Sequence, residues 1–278
     1  MRDLSRDNRF LAINTATVKR WDLREAVEGL ARAGIPAIAP WRDQLAAVGT
    51  AEAARLIKAH GLGVSGLCRG GLFTAGGKTG LAAALDENRR AVDDAAAIGA
   101  ACLVIVAGGL AAGSRDLAGA RALVRDGLAA LLPHARAAGV PLAIEPLHPM
   151  YAPDRACINT LAQANALCDE LGAGLGIAVD VYHVWWDPDL AREVARAGRG
   201  GRILAFHLCD WLVPTTDLLL DRGMMGDGVI DIPAIRALVE GAGFAGFCEV
   251  EIFSQANWWK RPPDEVLAVA IERYRSVC

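Results

Sequence analysis

Short apolar or β-branched runs alternate with longer Ala-, Leu- and Arg-rich stretches of helical period about eight times along this chain of 278 residues. Few folds accommodate that rhythm. The apolar runs predict strands at Phe10–Thr17, Ala37–Trp41, Val64–Cys68, Cys102–Ala107, Pro141–Pro146, Gly176–Val181, Ile203–Cys209 and Phe247–Phe253. The stretches between predict helices near Leu23–Ala33, Gln44–His60, Leu81–Ile98, Ala118–Ala138, Thr160–Leu171, Pro188–Ala197, Ile232–Glu240 and Pro263–Arg275. Gly34, Gly61, Gly99, Gly139, Gly172, Gly198 and Gly243 stand where helices should stop. At about 35 residues per unit, the repeat fits an α/β protein of the (β/α)₈ TIM-barrel type. A doubly wound sheet would want a G-x-G-x-x-G turn after the first strand, and Asn14-Thr15-Ala16-Thr17 is no such turn. No Pro/Ser-rich linker or composition shift divides residues 1–278, so a single domain is expected.

Composition narrows the function class. The formal charge is −3, from 29 basic and 32 acidic side chains, and no run of five or six like charges occurs. A nucleic-acid surface is therefore not expected, and the apolar runs are too short for a membrane span. The seven cysteines contain no C-x-x-C pair, and Met1 to Arg9 is not followed by the apolar segment of an export signal. Reduced thiols and a cytoplasmic location are the expectation.

A barrel fixes where the chemistry sits, at the C-terminal ends of its strands. Four strand ends carry ligand-type side chains: Glu145 in Ala143-Ile144-Glu145-Pro146, Asp180 in Ala178-Val179-Asp180-Val181, His207 in Ala205-Phe206-His207-Leu208, and Glu251 in Glu249-Val250-Glu251-Ile252. Their separations of 35, 27 and 44 residues match one repeat, one repeat, and one repeat enlarged by a Gly-, Pro-, Asp- and Thr-rich loop over 210–231. Three carboxylates and an imidazole buried together need a cation, because like charges at close range cannot all stay ionised. The oxygen-rich set suits a hard or borderline divalent ion such as Mn²⁺, Mg²⁺ or Co²⁺ better than a sulfur-rich zinc site would. Glu249, two residues before Glu251 on the same face, falls one layer deeper, where it holds a ligand or accepts from His207.

The run Glu145, Asp180-Val181-Tyr182-His183, His207 and Gly243-Phe244-Ala245-Gly246 through Glu251 resembles the xylose isomerase-like TIM barrels, the sugar phosphate isomerase/epimerase superfamily. The resemblance implies a metal held by Glu145, Asp180, His207 and Glu251, with Glu145 and Glu251 moving protons on the two faces of a sugar. It also implies substrate contacts from His183 and Arg222, and a homo-oligomer. The activity it implies is that of a sugar isomerase or epimerase removing a proton beside a carbonyl. After Glu145, however, the chain reads Pro146-Leu147-His148-Pro149-Met150-Tyr151, where ketose epimerases carry Asn-Arg-Phe-Glu. His148 in that loop is a candidate general acid or base. It favours the alternative of a dehydratase or deglycosidase acting on an inosose or 3-keto-glycoside by β-elimination.

Trp41, the last residue of its strand, and Arg69, just past its own, are further candidate substrate contacts. Gly70 to Thr79 fails the Walker A pattern and reads as a lid-like loop. His60 and His134 fall on helices and take no role. Endonuclease IV shares the barrel and the Asp-x-x-His element, but its zinc cluster needs histidines that this chain lacks: Gly108-Gly109 ends the fourth strand, and no Asp-x-His follows His207. No basic cluster in the sequence looks dedicated to phosphate, so a non-phosphorylated small-molecule sugar or keto-sugar is the expected substrate.

Overall fold

In the computed structural model, which describes residues 1–278, eight parallel staves close on themselves and helices ring the outside. The staves are β1 (Leu11–Asn14), β2 (Ala37–Ala39), β3 in two pieces (Gly63–Val64 and Leu67–Gly71), β4 (Leu103–Val106), β5 (Leu142–Ile144), β6 (Leu175–Asp180), β7 (Ile203–Leu208) and β8 (Cys248–Val250). Each pairs in parallel with its neighbours, and β8 returns to β1 through Leu11 opposite Cys248. The break in β3 completes the ring, since its first piece pairs with β2 and its second with β4. This is the single-domain TIM barrel that the alternation predicts.

The helices are α1 (Leu23–Arg32), α2 (Arg42–Val48), α3 (Thr50–Ala59), α4 (Gly77–Ala97), α5 (Leu117–Ala137), α6 (Leu161–Leu171), the one-turn α7 (Val181–Val184), α8 (Leu190–Arg199), α9 (Ile232–Gly241) and α10 (Pro263–Ser276). Local chemistry sets their starts. Asp22 and Glu25 form a capping box at α1, Thr160 caps α6, and Asp231 accepts from the Ala234 N–H at α9. None is long and apolar enough to cross a membrane.

Three departures from the sequence expectations have physical causes. The helix expected over Gln44–His60 is two helices, because Gly49, at φ 88°, turns the chain between α2 and α3. Gly198 does not end a helix. It lies inside α8, where a Cβ would sit 2.4 Å from the Ala242 carbonyl oxygen, so this glycine lets α8 approach the end of α9. The segment expected as a lid from Gly70 is anchored instead: Phe73 is fully buried over Gly127 of α5, Thr74 is buried, and α4 already starts at Gly77.

The long connection after β7 is organised by Asp210. Its carboxylate accepts from the backbone N–H groups of Gly226, Gly228 and Ile230 at 2.9–3.0 Å. Asp210–Trp211 and Arg222–Gly223 pair antiparallel, bringing Arg222 back over the barrel. The outer part of the loop is tied down by the hydroxyls of Tyr151 and Tyr182, both of which donate to the Leu218 carbonyl.

Candidate metal centre

Asp180 ends β6 and caps the short helix that follows. One of its oxygens accepts from the Tyr182 N–H at 2.8 Å, leaving the other to face inward. Glu145 lies one residue past β5, His207 lies in β7, and Glu251 lies one residue past β8. One ligand-type atom from each of the four lies within 4.8 Å of the others, and all four residues are buried. His207 Nδ1 is 2.9 Å from Glu145 Oε1, which turns that nitrogen toward the carboxylates. Its Nε2 faces Glu249 Oε1 at 3.7 Å and has no hydrogen-bond partner.

Glu249 sits beneath this cluster, as its place two residues before Glu251 suggests. Its oxygens accept from Asn14 Nδ2 at 2.9 Å and from the Ser65 hydroxyl at 2.8 Å. Asn14 also donates to Glu251 Oε1 at 2.9 Å, while its own oxygen accepts from Trp41 Nε1 at 2.8 Å. One buried amide thus links Glu249 of β8 and Glu251 just past it to the cavity wall.

Arg222 reaches in from above. Nη1 lies 3.1 Å from Asp180 Oδ2 and 3.3 Å from Glu251 Oε2, and the guanidinium lies over the rings of Tyr182 and Phe253. Four buried carboxylates, of Glu145, Asp180, Glu249 and Glu251, therefore face one guanidinium, of Arg222, and two imidazoles, of His183 and His207. Burial pushes the Glu251 carboxyl up to about 8, against the pull of Arg222 and His207 and with the help of Glu145 and Asp180. Burial works against a charged His207, yet the charges of Glu249, Glu145 and Glu251 outweigh it and hold that imidazole well above its ordinary value. Burial also opposes the charge on Asp180, but Arg222, His183 and His207 prevail and keep it below the usual carboxylate range. An oxygen-rich donor set with surplus negative charge fits a divalent cation, and Glu249, 3.7 Å from the unpartnered Nε2, is the carboxylate placed to orient the imidazole from outside.

A cavity of about 200 Å³ opens beside Glu145. Trp41, Arg69, His183 and Arg222, the expected substrate contacts, all line it, together with Leu147, Tyr151, Arg155, Leu219 and Phe253. A wider groove of about 730 Å³ continues past Trp41 and Arg69 along α4. His183 Nδ1 accepts the His148 backbone N–H at 3.2 Å, which leaves its ring proton on Nε2, toward Asp180 and Arg222. Burial pushes His183 down to about 3, so the ring is neutral at physiological pH.

His148 is not where the sequence reading put it. Its ring packs against Trp211 and Trp186, its Nδ1 accepts from the Met150 N–H, and it does not line the cavity. Pro149 starts a turn of 3₁₀ helix there, and His148 caps it. Sequence reasoning also missed Asn14, Ser65, Tyr151 and Arg155. Asn14 is a small polar residue at the end of β1, Ser65 is another in the break of β3, and Tyr151 and Arg155 lie between β5 and α6 without a motif.

The family model "Xylose isomerase-like TIM barrel" matches residues 27–277. No curated protein matches the chain. Among solved structures, the protein SMc04130 from Sinorhizobium meliloti 1021 is 62% identical, with a TM-score of 0.95 over 97% of this chain and 98% of that one. The IOLI protein with a bound zinc atom is 20% identical, with a TM-score of 0.82 over 96% and 97% of the two chains. A D-allulose 3-epimerase from Methylomonas sp. is 20% identical, with a TM-score of 0.76 over 98% and 99%.

Proposed function

The chain belongs to the xylose isomerase-like TIM barrel family, and from that premise we propose that it is a divalent-metal-dependent sugar isomerase or epimerase. The reaction removes a proton from the carbon beside a carbonyl and returns one to the resulting enediolate. The observation that carries this reading is the convergence of Glu145, Asp180, His207 and Glu251 within 4.8 Å next to a small cavity. Those four residues would hold the ion, Mn²⁺ before Mg²⁺ or Co²⁺. Once bound, it polarises the carbonyl and its neighbouring hydroxyl and stabilises the negative charge that develops on them.

The protein's own groups have distinct tasks. Glu145 lines the cavity, and its Oε2 carries no hydrogen bond, so this oxygen takes the proton from carbon. Glu251, held between Asn14 Nδ2 and Arg222 Nη1, returns a proton from the other side. His183 donates through Nε2 to a substrate oxygen, and Arg222 orients both Asp180 and Glu251. Trp41 and Phe253, edge to face at 5.6 Å, form an apolar wall that stacks on a sugar face and excludes water.

A second reading, β-elimination from an inosose or a 3-keto-glycoside, is supported by the groove beyond Trp41 and Arg69, which offers room for an aglycone. Proton NMR in D₂O with Mg²⁺-loaded protein separates the two. Deuterium entering a sugar that interconverts with its isomer supports the isomerase reading, and loss of water or of an aglycone supports the lyase. A panel of free ketoses, aldoses, inososes and 3-keto-glycosides that shows neither exchange nor turnover, with the metal bound, sinks both.

A further inference from the structure

The lining of the cavity carries both signs of charge: Glu145 belongs to the carboxylate cluster, while Arg69 and Arg155 make no side-chain hydrogen bond or ion pair, although both line the cavity and neither is exposed. That sets them apart: every other arginine of the chain that is not exposed bonds or ion-pairs with a carboxylate or a carbonyl. Their nitrogens are not sealed from solvent, so two like charges that sense one another stand beside the cavity with no protein counter-ion of their own. Burial and the charge of Arg155 both push the Arg69 guanidinium below its ordinary value.

The backbone holds both side chains in place. Arg69 lies within the second piece of β3. The Arg155 carbonyl accepts from the Gly108 N–H at 3.0 Å, and Ala156 pairs with Gly108 in an isolated bridge. The neighbouring glycine serves this closeness, since a Cβ on Gly109 would sit 2.6 Å from the Asp154 backbone nitrogen. The two arginines, 86 positions apart in sequence, are thus brought together by strand pairing, which explains why no basic cluster is legible in the sequence.

We propose that Arg69 and Arg155 form an anion subsite, and that the substrate is an acidic sugar derivative carrying a carboxylate or a phosphate. The anion lies between the two guanidiniums while the carbonyl end lies at Glu145. This rests on the function proposed above and narrows its substrate class. A cavity of about 200 Å³ is below the roughly 300–1,000 Å³ of sites for drug-sized ligands, which suits a small sugar acid or a short sugar phosphate.

The test follows calorimetry and total tryptophan fluorescence in metal-loaded protein titrated with matched ligands: glucitol against gluconate, erythritol against erythronate, and glycerol against glycerol phosphate. Inorganic phosphate and acetate serve as bare anions. The anionic member should bind at least about tenfold more tightly than its neutral partner, and Arg69→Gln and Arg155→Gln should each abolish most of that preference. A preference confined to gluconate and erythronate assigns the carboxylate; one confined to glycerol phosphate assigns the phosphate. Equal binding of neutral and anionic partners overturns the subsite, as does a preference that survives both substitutions. A separate Mn²⁺ titration distinguishes the two levels. Metal binding with no anion preference leaves the proposed function standing without the subsite. An Arg-dependent anion preference in a protein that binds no divalent metal leaves the subsite and removes the proposed function.

Discussion

Replacing Arg222 with Met should destabilise the metal-free protein far more than the metal-loaded one. In the wild type this guanidinium is the only arginine in contact with Asp180 and Glu251, at 3.1 and 3.3 Å. Removing one partner of a buried ion pair costs about 3–5 kcal/mol, because the remaining charge is left unpaired. The lower figure applies here, since Glu251, with its carboxyl pushed up to about 8, already holds a proton at neutral pH in the metal-free protein, so the unpaired charge left behind is that of Asp180. At roughly 2–4 °C per kcal/mol for a chain of this size class, the melting temperature in EDTA should fall by about 6–12 °C. A divalent ion held by the same carboxylates offsets their charge without the arginine. What remains is then the contact with the Tyr182 and Phe253 rings, about 1–2 kcal/mol. Calorimetric melting of wild type and variant, each in EDTA and in saturating Mn²⁺, closes a thermodynamic cycle in which packing losses cancel. A deficit of equal size with and without metal would falsify the electrostatic reading of Arg222 and with it the placement of the ion.

Other expectations follow from the same geometry. Glu145→Gln should lower the rate of proton exchange into substrate by about 10²–10⁴-fold, and a variant that exchanges at the wild-type rate removes Glu145 as the base. Asn14→Ala strips a donor from both Glu249 and Glu251 and should cost about 1–3 kcal/mol in urea unfolding of the metal-free protein; no change would show that water replaces it. Glu251 is raised from 4.5 to about 8, so the metal-free folded protein holds a proton that the unfolded chain has already released. Its contribution to stability is therefore present below about 4.5 and lost as pH rises toward about 8, while Mn²⁺ affinity climbs over the same window as that proton leaves. Calorimetry in buffers of different ionisation enthalpy should detect the released protons, and a pH-independent affinity contradicts the assignment. Gly198→Leu should destabilise by about 1–3 kcal/mol through the clash with Ala242, read as a lower urea midpoint at unchanged slope.

The barrel was legible because it rests on a repeated local pattern. Each apolar run needs only its own residues to be read as a strand, and eight of them at one spacing leave little but a closed parallel sheet. The features that escaped depend on contacts between elements. Gly198 looks like any helix-ending glycine until α9 is placed against α8, and Phe73 looks like part of a loose glycine-rich loop until Gly127 opens a space for its ring on α5. Helix ends and lids are decided by what packs on them, which no window of sequence contains.

The site divides along the same line. Glu145, Asp180, His207 and Glu251 were readable as a set because a barrel brings strand ends together whatever the side chains are, so four ligand types at successive strand ends imply proximity. Asn14, Ser65 and Arg155 carry no such implication. Asn14 is one amide on a strand, and only the pairing of β1 with β8 puts it under two glutamates. His148 shows the converse error: three residues past Glu145 is close in sequence, yet Pro149 turns the chain into a 3₁₀ helix and directs the ring toward Trp186 and Trp211. Nearness along the chain therefore predicts a role only where the backbone between is extended and its direction known. Across the mouth of the barrel it is the strand order that decides which side chains meet, and the side chains that settle the charge of the substrate, Arg69 and Arg155, meet only there.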